Sequence, residues 1–174
     1  MPSSQSAADQ VLLDSLRVLL RRDLRSLDAQ IAAYPDDKSL WQVAPGIANS
    51  AGNLTLHLAG NLRHFLGTTL GGRAYVRDRA AEFSQTGLSR DELRQEIART
   101  MEDVEAGLEA IGESGMNEVY PLPIAEQNVL TGEFLLHLAV HLTYHLGQID
   151  YHRRLFTGNP VPVDNVSVKA LRSV

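Results

Sequence analysis

The residues best suited to chemistry are six histidines, His57, His64, His137, His141, His145 and His152, confined to two short stretches of a chain with no cysteine. Neutral imidazole is a common ligand of divalent metals. The missing thiols exclude a disulfide framework, a zinc finger, an iron–sulfur cluster and a catalytic thiolate. Metal chemistry here must rest on His, Asp and Glu.

Spacing gives direction, because each helical residue advances about 100°. With His137 at zero, His141 falls near 40°, His145 near 80° and His152 near 60°, all on one face. In the earlier stretch His57, Asn61 and His64 fall at about 0°, 40° and −20°. Two imidazoles at i and i+4 can meet one ion, since their Cβ atoms are about 5–6 Å apart. His141–His145 and His137–His141 are both such pairs. His152 lies about 10 Å along the axis from His145, too far to join. A third imidazole must come from the other stretch, so His57 and His64 are the candidates. Three imidazoles on a divalent ion leave positions open for water or substrate, as in a catalytic centre. Other templates fit poorly. No glutamate follows the first histidine as HExxH demands, and the second helix lacks the glutamate that a di-iron site requires.

Four amphipathic helices are expected to carry these residues. Leu13, Leu16, Leu20, Leu24, Leu27 and Ile31 mark a first helix over about 7–33, closed by Pro35. Its Arg17, Arg21, Arg22 and Arg25 read as a solvated face paired with acids of the same helix rather than as an anion site. A second helix, about 50–70, starts at Asn49 or Ser50 and stops at Gly71-Gly72. A third, about 89–111, opens on a capping box from Ser89 to Glu92 and ends at Gly112. A fourth, about 131–156, ends before Gly158 and Pro160, and a tail at 159–174 forms a short extended arm. The expected fold is all-α, a four-helix bundle in a single domain spanning 1–174. The connections at 72–88 and 113–130 exceed what an antiparallel hairpin needs and leave room for a crossover.

Composition narrows the function. The 16 Lys and Arg against 21 Asp and Glu give a net charge of −5, which argues against a general nucleic-acid binder. No apolar run approaches the roughly 20 residues that span a bilayer. The opening MPSSQSAADQ lacks a secretion pattern, so a cytoplasmic protein without a membrane partner is expected.

The stretch HLTYHLGQ, together with GNLTLHLAGNLRHFLG, resembles the signature of the DinB/YfiT-like superfamily of helical metalloproteins. The resemblance implies an up-down-down-up bundle, often dimeric, with a crossover between its second and third helices. It implies a metal site of His57, His141 and His145 for a divalent ion such as zinc or nickel. It leaves His64 and His137 as accessory residues. Relatives include thiol-dependent transferases and isomerases, and some hydrolases. Tyr144 and Gln148 either orient ligands or substrate or serve packing, Asn61 either supports His57 from behind or is a helix-surface amide, and Gly147 either admits a close neighbour or is a tolerated helical glycine.

The resulting expectation is a metal-dependent transferase that uses a low-molecular-weight thiol against an electrophile, since metal coordination deprotonates a thiol. Metal-dependent hydrolysis is the near alternative. A non-catalytic, stress-related metal-binding dimer is the distant one, and it calls for a closed site with a fourth protein ligand such as His137 or His64.

Overall fold

The structure, a computed structural model, describes residues 4–112, 115–163 and 166–170. Parts of the expected tail, residues 164–165 and 171–174, lie outside the described residues. The described residues form six α-helices, four of them long, and no strands. They are α1 (Ser4–Ala32), α2 (Asp37–Leu40), α3 (Ala51–Leu62), α4 (Arg79–Ser84), α5 (Arg90–Ala110) and α6 (Thr131–Thr157).

The ends sit where capping chemistry puts them. Ser50 caps α3 by accepting from the Asn53 amide at 3.1 Å. Ser89 and Glu92 form the reciprocal box at the start of α5. Gly158, at φ +67°, closes α6 in the left-handed conformation that glycine adopts without penalty. The leucine and isoleucine stripe of α1 is buried throughout, as are Leu54, Leu58 and Leu62 of α3, Leu93, Ile97, Val104 and Leu108 of α5, and Leu135, Leu138, Leu142, Leu146 and Ile149 of α6. One apolar core joins the four long helices.

Cross-contacts set their directions. Asp23 meets Thr143 and Gln30 meets Asp150, so α1 and α6 run parallel. Arg21 binds Glu105 while Asp28 binds Arg94, so α1 and α5 run antiparallel. These ion pairs cross between helices, a correction to the expectation that the α1 charges pair within their own helix; Arg22 with Asp23 does so. His57 packs against His141 and Phe65 against Phe134, so α3 and α6 are antiparallel as well.

Two features depart from the sequence pattern. The second helix is not one α-helix to residue 70: past Leu62 it widens into a π-helical turn, Arg63–Thr68. Arg63 anchors that turn on α5 through Glu96 at 2.9 Å and Asp103 at 2.8 Å. There α5 offers Gly107, where any Cβ would run into the Leu66 carbonyl oxygen. The connection at 72–88 also holds the short helix α4, capped by Asp78, whose side chain accepts from the Ala81 amide at 2.9 Å.

The start of the tail is fixed by a fully buried Arg153. Its guanidinium donates to Gln30 Oε1 at 2.7 Å, to Asp150 Oδ1 at 3.1 Å and to the Val161 carbonyl at 3.0 Å. The Gln30 amide donates in turn to the Val163 carbonyl at 2.9 Å.

Candidate metal centre

Antiparallel packing of α3 on α6 brings one histidine from the first helix against an i, i+4 pair on the second. His57 Nε2 lies 3.3 Å from His141 Nε2, and His145 Nε2 lies 3.2 Å from the same atom. The His145 ring stands edge-on to both others, at 4.6 Å from His141 and 5.3 Å from His57. Among the described residues this is the one cluster of three His, Cys, Asp or Glu side chains able to hold a metal ion, with ligand atoms within 4.8 Å of one another.

The outer nitrogens decide what the inner ones offer. His57 Nδ1 donates to Glu82 Oε2 at 2.9 Å, and His145 Nδ1 donates to Gln148 Oε1 at 2.7 Å. Each imidazole carries one proton when neutral, so both Nε2 atoms present lone pairs. Both point at His141 Nε2, which has at most one proton to share between them. A cation satisfies such a convergence. Four ligands at about 2.0–2.1 Å around a tetrahedral ion stand about 3.3–3.4 Å apart, close to the observed separations. The residues therefore fit a divalent metal.

Charge and burial favour the neutral ligand form. Burial, reinforced by His145 and His57, pushes the His141 imidazole down to about 4. Burial also lowers His145. Glu82 is almost fully buried. Burial alone would raise its carboxyl, but the hydrogen bonds from His57 and Arg77 and the Arg77 charge outweigh it and hold the group below the usual carboxylate range. Arg77 reaches it through Nε at 2.6 Å and Nη2 at 3.0 Å. Room for this carboxylate exists because residue 60 is glycine: a Cβ there would collide with Glu82 Oε1.

A family model of the DinB superfamily matches residues 13–149. The chain belongs to the DinB superfamily. Curated proteins give no match to it. Within this DinB chain, then, His57, His141 and His145 come together as the resemblance implied.

The other histidines stand apart. His137 is exposed and stacks between Phe134 at 6.0 Å and the His141 ring at 6.1 Å. His64 packs edge-on against Phe65 at 4.8 Å, and burial lowers its pKa. His152 is buried between Tyr34 and the protein backbone: Nδ1 accepts from the Tyr34 hydroxyl at 2.7 Å, and Nε2 donates to the Gln42 carbonyl at 2.8 Å. Tyr144 is exposed, with its ring 5.1 Å from that of His145. Gly147 faces open space. Glu82, rather than Asn61, stands behind His57, while Asn61 Oδ1 is buried with no hydrogen-bond partner among the described residues.

Glu82 and Arg77 are the residues that sequence reading passed over. The available signal was Asp78, a good cap ahead of the helix-forming run Arg79-Ala80-Ala81-Glu82.

Proposed function

We propose that this DinB chain is a metal-dependent enzyme in which His57, His141 and His145 hold one divalent ion, zinc or nickel, and which joins a low-molecular-weight thiol to an electrophilic small molecule. The observation that carries the proposal is the convergence of three Nε2 atoms, two of them fixed as lone-pair donors by Glu82 and Gln148. When bound, such an ion acts as a Lewis acid that lowers the pKa of a coordinating thiol or water.

The protein's own residues do the rest. Glu82 and Gln148 hold the rings in the ligating tautomer, as partners behind metal-bound histidines commonly do. Asn61, one turn beyond His57 on α3, offers a buried acceptor for an incoming N–H or O–H. Without cysteine, the sulfur must arrive with a cosubstrate. A purely structural metal calls for four protein ligands; His64 and His137 lie outside the cluster, which favours the catalytic reading.

We also infer the architecture around this centre: one domain, an up-down-down-up four-helix bundle with the stretch between α3 and α5 as its crossover. The parallel α1–α6 pair and the antiparallel α1–α5 and α3–α6 pairs support it. Two copies associate through the exposed Leu136, Val140 and Tyr144 of α6, which form an apolar groove with Leu16 and Leu19 of α1. The setting is the cytoplasm; no described helix is long and apolar enough to cross a membrane.

The test is metal content by mass spectrometry for the wild type and for His57→Ala, His141→Ala and His145→Ala. Each variant is expected to lose the ion, and unchanged content in all three would sink the proposal. Adding glutathione to the nickel-loaded chain is expected to alter its visible absorption; an unaltered spectrum would turn the reading to hydrolysis.

A further inference from the structure

One helical turn from the histidine cluster, the same two helices line a cavity of about 440 Å³. On α3 the step runs from His57 back to Leu54; on α6 it runs from His145 forward to Gln148, Tyr151 and Leu155. Because α3 and α6 are antiparallel, both steps lead the same way. Three residues of helix advance about 4.5 Å, so cavity and cluster are neighbours along one seam. The loop before α3 covers the remaining side with Ile47, Ala48 and Asn49.

The lining defines what fits. Among the described residues it carries no charged side chain, and His152, its one titratable imidazole, already has both ring nitrogens bonded to Tyr34 and Gln42. Aliphatic and aromatic groups supply most of the wall, and the volume falls within the ~300–1,000 Å³ of small-molecule sites. Gln148 belongs to both places. Its Oε1 accepts from His145 Nδ1, which leaves its amide N–H groups for an acceptor in the cavity.

We propose that this cavity holds the body of the substrate, an uncharged, predominantly apolar small molecule bearing a carbonyl-type acceptor for Gln148, with its reacting end at the histidine cluster. The assignment rests on the reading of that cluster as catalytic, and it adds the substrate class. An anionic body is disfavoured, because no cation among the described residues lines the cavity to receive it.

The experiment uses the full chain loaded with zinc and the neutral, carbonyl-bearing fluorophore Prodan. Its emission is expected to shift to the blue with saturation, whereas the anionic dye 8-anilinonaphthalene-1-sulfonate binds at least tenfold more weakly. Ala48→Trp, which fills the cavity, is expected to weaken Prodan at least tenfold while leaving zinc content unchanged; Leu155→Arg serves as a second variant should the first not fold. Exchange of zinc for cobalt is expected to quench bound Prodan through proximity, and His141→Ala to abolish that quenching without abolishing dye binding. Dye binding indifferent to both cavity variants would overturn the proposal, as would dye displaced by rising protein concentration, the mark of a second copy in the cavity. Failure of the cluster reading alone would look different: no metal bound, with dye binding still blocked by Ala48→Trp.

Discussion

Replacing Glu82 by glutamine separates two jobs that this carboxylate performs. Its oxygens accept three hydrogen bonds, from His57 Nδ1 at 2.9 Å and from Arg77 at 2.6 and 3.0 Å. Glutamine has one oxygen. Given to His57, it keeps the ring in place but turns an amide toward the guanidinium, donor against donor. Loss of the carboxylate behind a ligating histidine costs about 10–100-fold in metal affinity, or about 1.4–2.7 kcal/mol. Arg77, with its side chain only 13% exposed, loses its counter-charge, and breaking a buried pair costs about 3–5 kcal/mol. Taking the lower end for this partly exposed arginine, about 3 kcal/mol, Tm falls by about 6–12 °C in a chain of this length. Zinc affinity by chelator competition and melting of the metal-free protein by circular dichroism read the two effects separately. In the double variant Arg77→Met, Glu82→Gln the unpaired cation is gone, so most of the stability should return while the affinity deficit persists. A folded double variant that binds zinc within twofold of wild type would refute the positioning argument.

Gly107→Ala presses a methyl group onto the Leu66 carbonyl and should cost about 1–3 kcal/mol in urea unfolding; an unchanged midpoint would contradict the close approach of α5 to the π turn. Tyr34→Phe leaves His152 Nδ1 buried without its donor, for about 1–3 kcal/mol of stability, and zinc affinity should not move, since His152 lies outside the cluster. Burial lowers both His141, to about 4, and His152. Between about pH 4 and 6.5 the unfolded chain therefore binds protons that the folded chain refuses. Stability of the metal-free protein should be full above pH 6.5 and fall on acidification through that window, so equal melting temperatures at pH 7 and pH 5 would count against it.

The long helices were legible because their apolar residues recur at three and four over several turns, and because Ser50, Ser89 and Gly158 supply local stop and start chemistry. The His141–His145 pair was legible for the same reason, being a helical spacing, whereas Gln148, one turn beyond it, entered only with the resemblance and not as the partner of His145. Periodicity left the third ligand open between His57 and His64, and only the resemblance favoured His57. Glu82 was hidden because it sits 25 residues from His57 in a six-residue helix, where no repeat accumulates, and because only packing brings the two together. The π turn was hidden likewise: Arg63 is drawn to acids on α5, and nothing within α3 announces that.

The clamp around Arg153 bears on how this molecule opens. Peeling away the segment at 159–163 would take the backbone acceptors from a fully buried cation and the Val163 carbonyl from Gln30, leaving Arg153 held by Asp150 and Gln30 alone. Those bonds must break before the segment lifts, so it frays less readily than an untethered stretch. Because Gln30 binds the segment, Asp150 and Arg153 together, its departure is coupled to the loosening of α1 from the last turns of α6. Hydrogen exchange should then report a shared opening free energy for the amides near Arg153 and those around Gln30, a foldon whose fastener is a single guanidinium.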